Sequence, residues 1–211
     1  MLNSILTTPF TLPSLLMILA MLLRICLSAK VDGYAVDVNC FLSWGNTMRL
    51  NGPLQFYQST GFCDYPPAYT YILALNSATS GLLKEIFKTI SPDVIDRIVF
   101  RFIPSLADIA ICYVIRNRMN RQGYSGRMSC TVASLLAFFP VSILNSACWG
   151  QMDSVLCLLL LMVAVWATEQ KWQLCLPLYM LAVLVKPQAL MLGPLGLIVI
   201  IIEWIRNKES R

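Results

Sequence analysis

The chain has 211 residues, of which 57% are hydrophobic and 13% charged, with a net charge of +5 and a mean hydropathy of +0.67. Soluble domains are roughly 45–50% apolar and about 25% charged, so this composition excludes one and describes a polytopic all-α membrane protein: a single transmembrane domain over residues 1–211, with about six spans at ~20 residues each. There is no histidine, which removes imidazole as base, proton shuttle or metal ligand and leaves acid–base chemistry to carboxylates.

In such a chain the placement of charge says more than its sum, and the +5 implies no nucleic-acid partner. The first apolar run, residues 10–29, has no basic segment before it and reads as a retained helix rather than a signal peptide. Arg24 lies near its end, from which a long side chain can snorkel to the membrane surface. A polar stretch over about residues 30–96 follows. Its Gly33, Gly45, Gly52, Pro53, Gly61, Pro66 and Pro67 mark turns and short juxtamembrane helices. Within it, residues 66–83 are amphiphilic and suit the interface; if they cross, the chain has seven spans instead of six.

Of the eight cysteines, Cys40 and Cys63 share this loop, where a disulfide is possible in an oxidising compartment. The others lie in or beside apolar stretches and read as small hydrophobes.

The next span covers residues 97–115, followed by a short loop with Arg116, Arg118, Arg121 and Arg127 and no acid. Short basic loops stay cytoplasmic. Spans over 129–148, 154–168, 172–185 and 188–204 follow, and Arg206, Lys208 and Arg211 come after the last. With both basic segments cytoplasmic and six spans, the N- and C-termini are cytoplasmic and the 30–96 loop is the first outer loop. Its four basic and six acidic residues agree with that side. The last two spans are short, and a break at Lys186–Pro187 explains them better than one helix through a proline.

This topology gathers Asp37, Asp64, Trp149, Gln151, Asp153, Lys186 and Gln188 on one membrane face. Ionisable groups at membrane depth cost at least ~2.5 kcal/mol each, so they are candidates for function. Plainer readings stand beside each: Asp64 and Asp153 as helix caps, Lys186 as a snorkelling residue, and Asp108 as the partner of Arg101 or of another helix. Asp37 caps nothing evident, and Tyr34, Phe41 and Trp44 around it offer platforms for a sugar ring or an interfacial helix.

The order of Asp37 with CFLSW, Gly52–Tyr57 leading to Asp64–Tyr65–Pro66–Pro67, Pro104–Asp108, Trp149–Gly150–Gln151–Met152–Asp153 and Lys186–Pro187–Gln188 resembles the GT-C superfamily of membrane glycosyltransferases. It is most similar to mannosyltransferases related to the second GPI mannosyltransferase and their bacterial relatives. The resemblance implies a polyprenyl- or dolichyl-phosphate sugar donor, a lipid or glycan acceptor, and a bacterial inner membrane or endoplasmic reticulum as location. It implies Asp37 as catalytic base, with Arg24, Asp64, Tyr65, Trp149, Gln151, Asp153, Lys186 and Gln188 as substrate contacts. Arg24, Lys186 or Arg101 would stabilise the departing phosphate. No cofactor is implied; a divalent metal on Asp37 and Asp64 stays open as an alternative.

Enzymes of this superfamily usually have eight or more spans. The resemblance therefore implies the N-terminal part of such a module, completed by a second chain or shortened. A non-catalytic subunit, a lipid-linked-sugar carrier or an inactive relic is the alternative.

Overall fold

The computed structural model describes residues 12–209, and all the regular elements among them are helical. They are α1 (Leu12–Lys30), α2 (Ala35–Ser59), α3 (Pro67–Ile86), α4 (Pro92–Arg121), α5 (Gly126–Ala137), α6 (Pro140–Ile143), a π-helical stretch (Leu144–Trp149), α7 (Asp153–Thr168), α8 (Trp172–Val185), a 3-10 stretch (Pro187–Leu192) and α9 (Gly193–Glu209). By length and apolar content α1 and α4 are able to cross a membrane, as is the bent pair of α5 with Pro140–Trp149 if it counts as one span. α3 has 20 residues but does not meet the same apolar criterion.

Local chemistry explains most of the boundaries. Pro67 and Pro92 open α3 and α4, where the missing N–H costs nothing. Ser125 caps α5, its Oγ accepting from Met128 N at 3.2 Å. Between α5 and α6 the chain bends by 43°; Phe139, extended before Pro140, cannot continue the helix. Lys186 is likewise extended before Pro187, so the expected break lies where the sequence placed it.

Residues 30–96 are more helical than the sequence suggests. α2 runs for 25 residues and is kinked at Gly52, which has φ 72°, followed by Pro53. Gly45 is no turn residue. It lies inside α2 against α3, and a Cβ there would stand 2.6 Å from the Leu73 carbonyl oxygen. Gly45→Ala is accordingly expected to cost about 1–3 kcal/mol by overpacking, read as a lower midpoint of thermal unfolding in detergent.

Phe41, Trp44, Met48, Phe56, Tyr69, Leu73 and Met152 form one buried cluster between α2, α3 and the start of α7. Phe41 and Trp44 therefore belong to the core and do not serve as the exposed platforms the sequence suggested. Phe41 meets the Tyr69 ring edge-on at 5.5 Å, and the Trp44 indole N–H donates to the Phe62 carbonyl at 2.6 Å. Cys40 and Cys63 are free thiols packed against this cluster.

Arg24 does not snorkel. It is fully buried, and its guanidinium donates to Asp108 Oδ2 (3.3 Å), Ser142 Oγ (3.2 Å) and the carbonyls of Ala20 (3.2 Å) and Ala137 (2.7 Å). Asp108 also accepts from Ser146 Oγ at 2.6 Å. One buried ion pair thus joins α1 and α4, and reaches the carbonyl exposed by the α5–α6 bend. At one end of the bundle Arg118, Arg121 and Lys171 surround Glu169, and these cations hold its carboxyl below the usual range, the Lys171 hydrogen bond most of all. The C-terminus of α1 and the N-termini of α2, α4 and α7 meet at the other end.

Candidate active site

At that second end, side chains from four distant segments form one network. Asp37 is in the first turn of α2, not in a loop, where a carboxylate is favoured by the helix dipole. Its Oδ2 accepts from Trp149 Nε1 and from Gln151 Nε2, each at 2.7 Å. Gln151 turns its Oε1 to the Tyr65 hydroxyl, which donates at 3.1 Å. Lys186 Nζ lies 5.8 Å from the centroid of the Tyr65 ring and forms an ion pair with Asp153 Oδ1. Asn145 Nδ2 donates to the other oxygen of Asp153 at 3.0 Å.

The backbone places these groups. Gly150 adopts φ 88°, a left-handed conformation that ends the π-helical stretch, and the N–H groups of Gly150 and Gln151 both return to the Asn145 carbonyl. That turn sets Trp149 and Gln151 on either side of it toward Asp37. The extended Lys186 between α8 and the 3-10 stretch sends its ammonium toward the first turn of α7. Asp153 is the first residue of α7 and makes no side-chain cap there; its carboxylate is spent on Lys186 and Asn145.

Two properties make the network chemically useful. Among the described residues Asp37 Oδ1 accepts no hydrogen bond, while Oδ2 is held by two donors. The carboxylate is fixed in direction with one oxygen left over. Burial, and after it the carboxylates of Asp153, Asp64 and Asp37, push the Tyr65 phenol well above its ordinary value, which keeps the hydroxyl protonated and a donor. Burial and the Asp37 and Asp64 carboxylates likewise push the Cys40 thiol up, and burial is the main cause for Cys63. Neither is a ready thiolate nucleophile.

Of the residues expected from the sequence, Asp37, Tyr65, Trp149, Gln151, Asp153 and Lys186 are brought together. Asp64 and Gln188 are exposed and make no side-chain hydrogen bond among the described residues. Asp64 does not cap α3, whose N-cap is Pro66. Arg24 lies apart from this network, in the buried pair with Asp108. Arg101 is buried and directed at backbone carbonyls. Among the described residues no group of three or more Cys, Asp or Glu side chains could hold a metal ion.

Asn145, an amide within an apolar run, has no sequence signal that marks it as part of the site. The π-helical winding around it is a feature that often accompanies functional sites, yet it has no local sequence signature. Of Tyr34, Phe41 and Trp44, Tyr34 is the exposed one, its ring 6.2 Å from that of Trp149, which is exposed as well.

Comparison with protein-family models, with curated proteins and with solved structures finds no match.

Proposed function

We propose that this chain carries the acid–base site of a membrane glycosyltransferase, which moves a sugar from a polyprenyl- or dolichyl-phosphate donor to an acceptor hydroxyl. One observation carries the reading: Asp37 is anchored through Oδ2 by Trp149 and Gln151 while Oδ1 is left for a proton. In the proposed step Oδ1 takes the acceptor hydroxyl proton as the acceptor oxygen attacks the anomeric carbon. The bond from that carbon to the phosphate oxygen breaks, and the lipid phosphate leaves with the bonding pair. A single displacement inverts the anomeric centre. Lys186 is the cation of the network and is assigned to the leaving phosphate; Trp149, Gln151 and Tyr65 orient the sugars. Mannose as the sugar rests on the resemblance of the sequence motifs.

The proposal includes a six-span topology, with α2 and α3 in the first outer loop and both termini cytoplasmic. The placing of the helix ends supports it. α4 and α7 both end at the Glu169 cluster, and Arg116, Arg118 and Arg121, expected in a loop, lie on the last turns of α4, while α1 ends and α2, α4 and α7 begin at the site. Such an alternation of helix ends is what successive spans require. α7, α8 and α9 have 16, 14 and 17 residues, about 24, 21 and 26 Å at 1.5 Å per residue. They are shorter than a ~30 Å hydrocarbon core, and the 3-10 stretch lengthens the last of them.

The test is transfer from a panel of radiolabelled polyprenyl-phosphate sugars in membranes containing the chain with any partner that co-purifies. Transfer from one donor with inversion is expected. Binding of these lipids with no transfer from any of them would instead mark a carrier or a subunit. Lys186→Met is expected to lower transfer by about 10²-fold, the scale of losing one donor to a developing oxyanion, at unchanged protein level. A wild-type rate in that variant would remove the lysine from the phosphate.

A further inference from the structure

We infer that Arg101 is a positioning residue, which brings the Asp37 turn and the Trp149–Gly150 turn into register so that two donors meet one carboxylate oxygen. The inference rests on Asp37 being the reactive carboxylate, as proposed above. Arg101 lies on α4 and is 2% exposed. Its Nη1 donates to the carbonyls of Val31 (2.6 Å), Ser28 (3.2 Å) and Ala147 (3.4 Å), and its Nη2 to that of Asp32 (2.7 Å).

Three of these acceptors lead directly from the end of α1 into the turn before Asp37. The fourth lies two residues before Trp149. One guanidinium therefore ties together the two backbone segments that carry the base and its anchors.

Capping the end of α1 accounts for only part of this. Arg97, one turn earlier on α4, already serves that end through the Ala29 carbonyl at 3.0 Å and the Asp32 carboxylate. What Arg101 adds is the grip on the second segment, and both segments are shaped to its side chain. Gly33 and Gly150 have φ of 83° and 88°. A Cβ on Gly33 would stand 2.5 Å from Arg101 Nη2 and 2.8 Å from the Cys148 carbonyl oxygen, and one on Gly150 3.1 Å from Arg101 Cγ. Glycine at these two places leaves the space that the guanidinium and its stem fill. A lysine, a point charge without the planar fork, cannot span the same set of acceptors.

The sensitivity follows from the hydrogen bonds at Asp37. Both are 2.7 Å long, and a relative shift of about 1 Å between the turns takes them beyond bonding range.

The experiment uses the full chain, labelled with ¹⁵N-tryptophan in nanodiscs, with the Trp149 indole peak assigned through Trp149→Phe. Trp44, bonded to the Phe62 carbonyl inside the core, reports the fold. In Arg101→Lys the Trp149 indole proton is expected to move upfield, as a lost hydrogen bond requires, while the Trp44 peak stays. kcat for sugar transfer is expected to fall about 10²-fold, the scale of a 1 Å misplacement, with KM for the donor little changed. Arg101→Gln, whose shorter planar amide reaches only part of the same set of carbonyls, is expected to act the same way and decides the matter if Arg101→Lys does not fold.

An unmoved Trp149 peak in both variants overturns the inference, as does loss of the Trp44 peak in both, which would make Arg101 a support of the whole fold. If the wild-type chain transfers no sugar, the glycosyltransferase reading fails, while the indole peaks still report whether Arg101 sets the contact with Asp37.

Discussion

Asp37→Asn is expected to lower sugar transfer by about 10²–10⁴-fold, the range for loss of a general base, with the protein still present in membranes at the wild-type level. Asn has the same shape, and its carbonyl oxygen can take the place of Oδ2, accepting from both Trp149 and Gln151. The anchoring therefore survives. The amide nitrogen then occupies the position of Oδ1 and cannot take a proton from the acceptor. Asp37→Ala differs in kind, because it also leaves the Trp149 and Gln151 donors without their acceptor. Comparing the two separates basicity from architecture: transfer is lost in both, and a disturbed Trp149 environment is expected only in the alanine variant. Transfer at the wild-type rate in Asp37→Asn would end the assignment of Asp37 as base.

The largest effect on stability is expected at Arg24. Its guanidinium is fully buried, and Asp108 opposite is 6% exposed. Arg24→Ala leaves the Asp108 carboxylate in place with only Ser146 Oγ to satisfy it, and removes the donor to the Ala137 carbonyl at the bend. Breaking a buried pair from one side costs about 3–5 kcal/mol, because an uncompensated charge remains. The paired change Arg24→Met with Asp108→Leu removes both charges at similar volume and is expected to recover most of that loss. Thermal unfolding of purified protein in detergent reads both. A double variant as unstable as the single one would show that shape, not charge, governs this site.

The breaks at Pro187 and Gly150 were legible from the sequence because each is a local event: Pro187 restricts the residue before it, and Gly150 takes a left-handed turn. The break at Pro140 was not, and it divides the span expected over 129–148. The Asp37, Trp149, Gln151, Asp153 and Lys186 set was legible as well, since polar groups stand out against apolar runs. What those groups hold was not. Asp37 and Trp149 are 112 residues apart, and nothing near either names the other.

Gly45 was misread for a related reason. Glycine as a turn residue and glycine as the flat point of a helix crossing look the same in one dimension, and only the approach of the Leu73 carbonyl separates them. Phe41 and Trp44 show the same limit, since an aromatic residue beside a polar site is placed in the core or at the surface by what covers it. Arg24 reads locally as a residue within reach of the surface; its real environment is made by α4 and the α5–α6 bend.

That environment also bears on the order in which the molecule is made. Asp108 follows Arg24 by 84 residues, Ala137 by 113 and Ser142 by 118. During synthesis from the N-terminus, α1 is therefore complete with its guanidinium bonded only to its own Ala20 carbonyl until α4 emerges, and not fully answered until the bend has formed. An isolated arginine in a nascent apolar helix opposes stable burial, so α1 reaches its final depth only after later helices supply acceptors. The first of the described helices is in this sense among the last to settle.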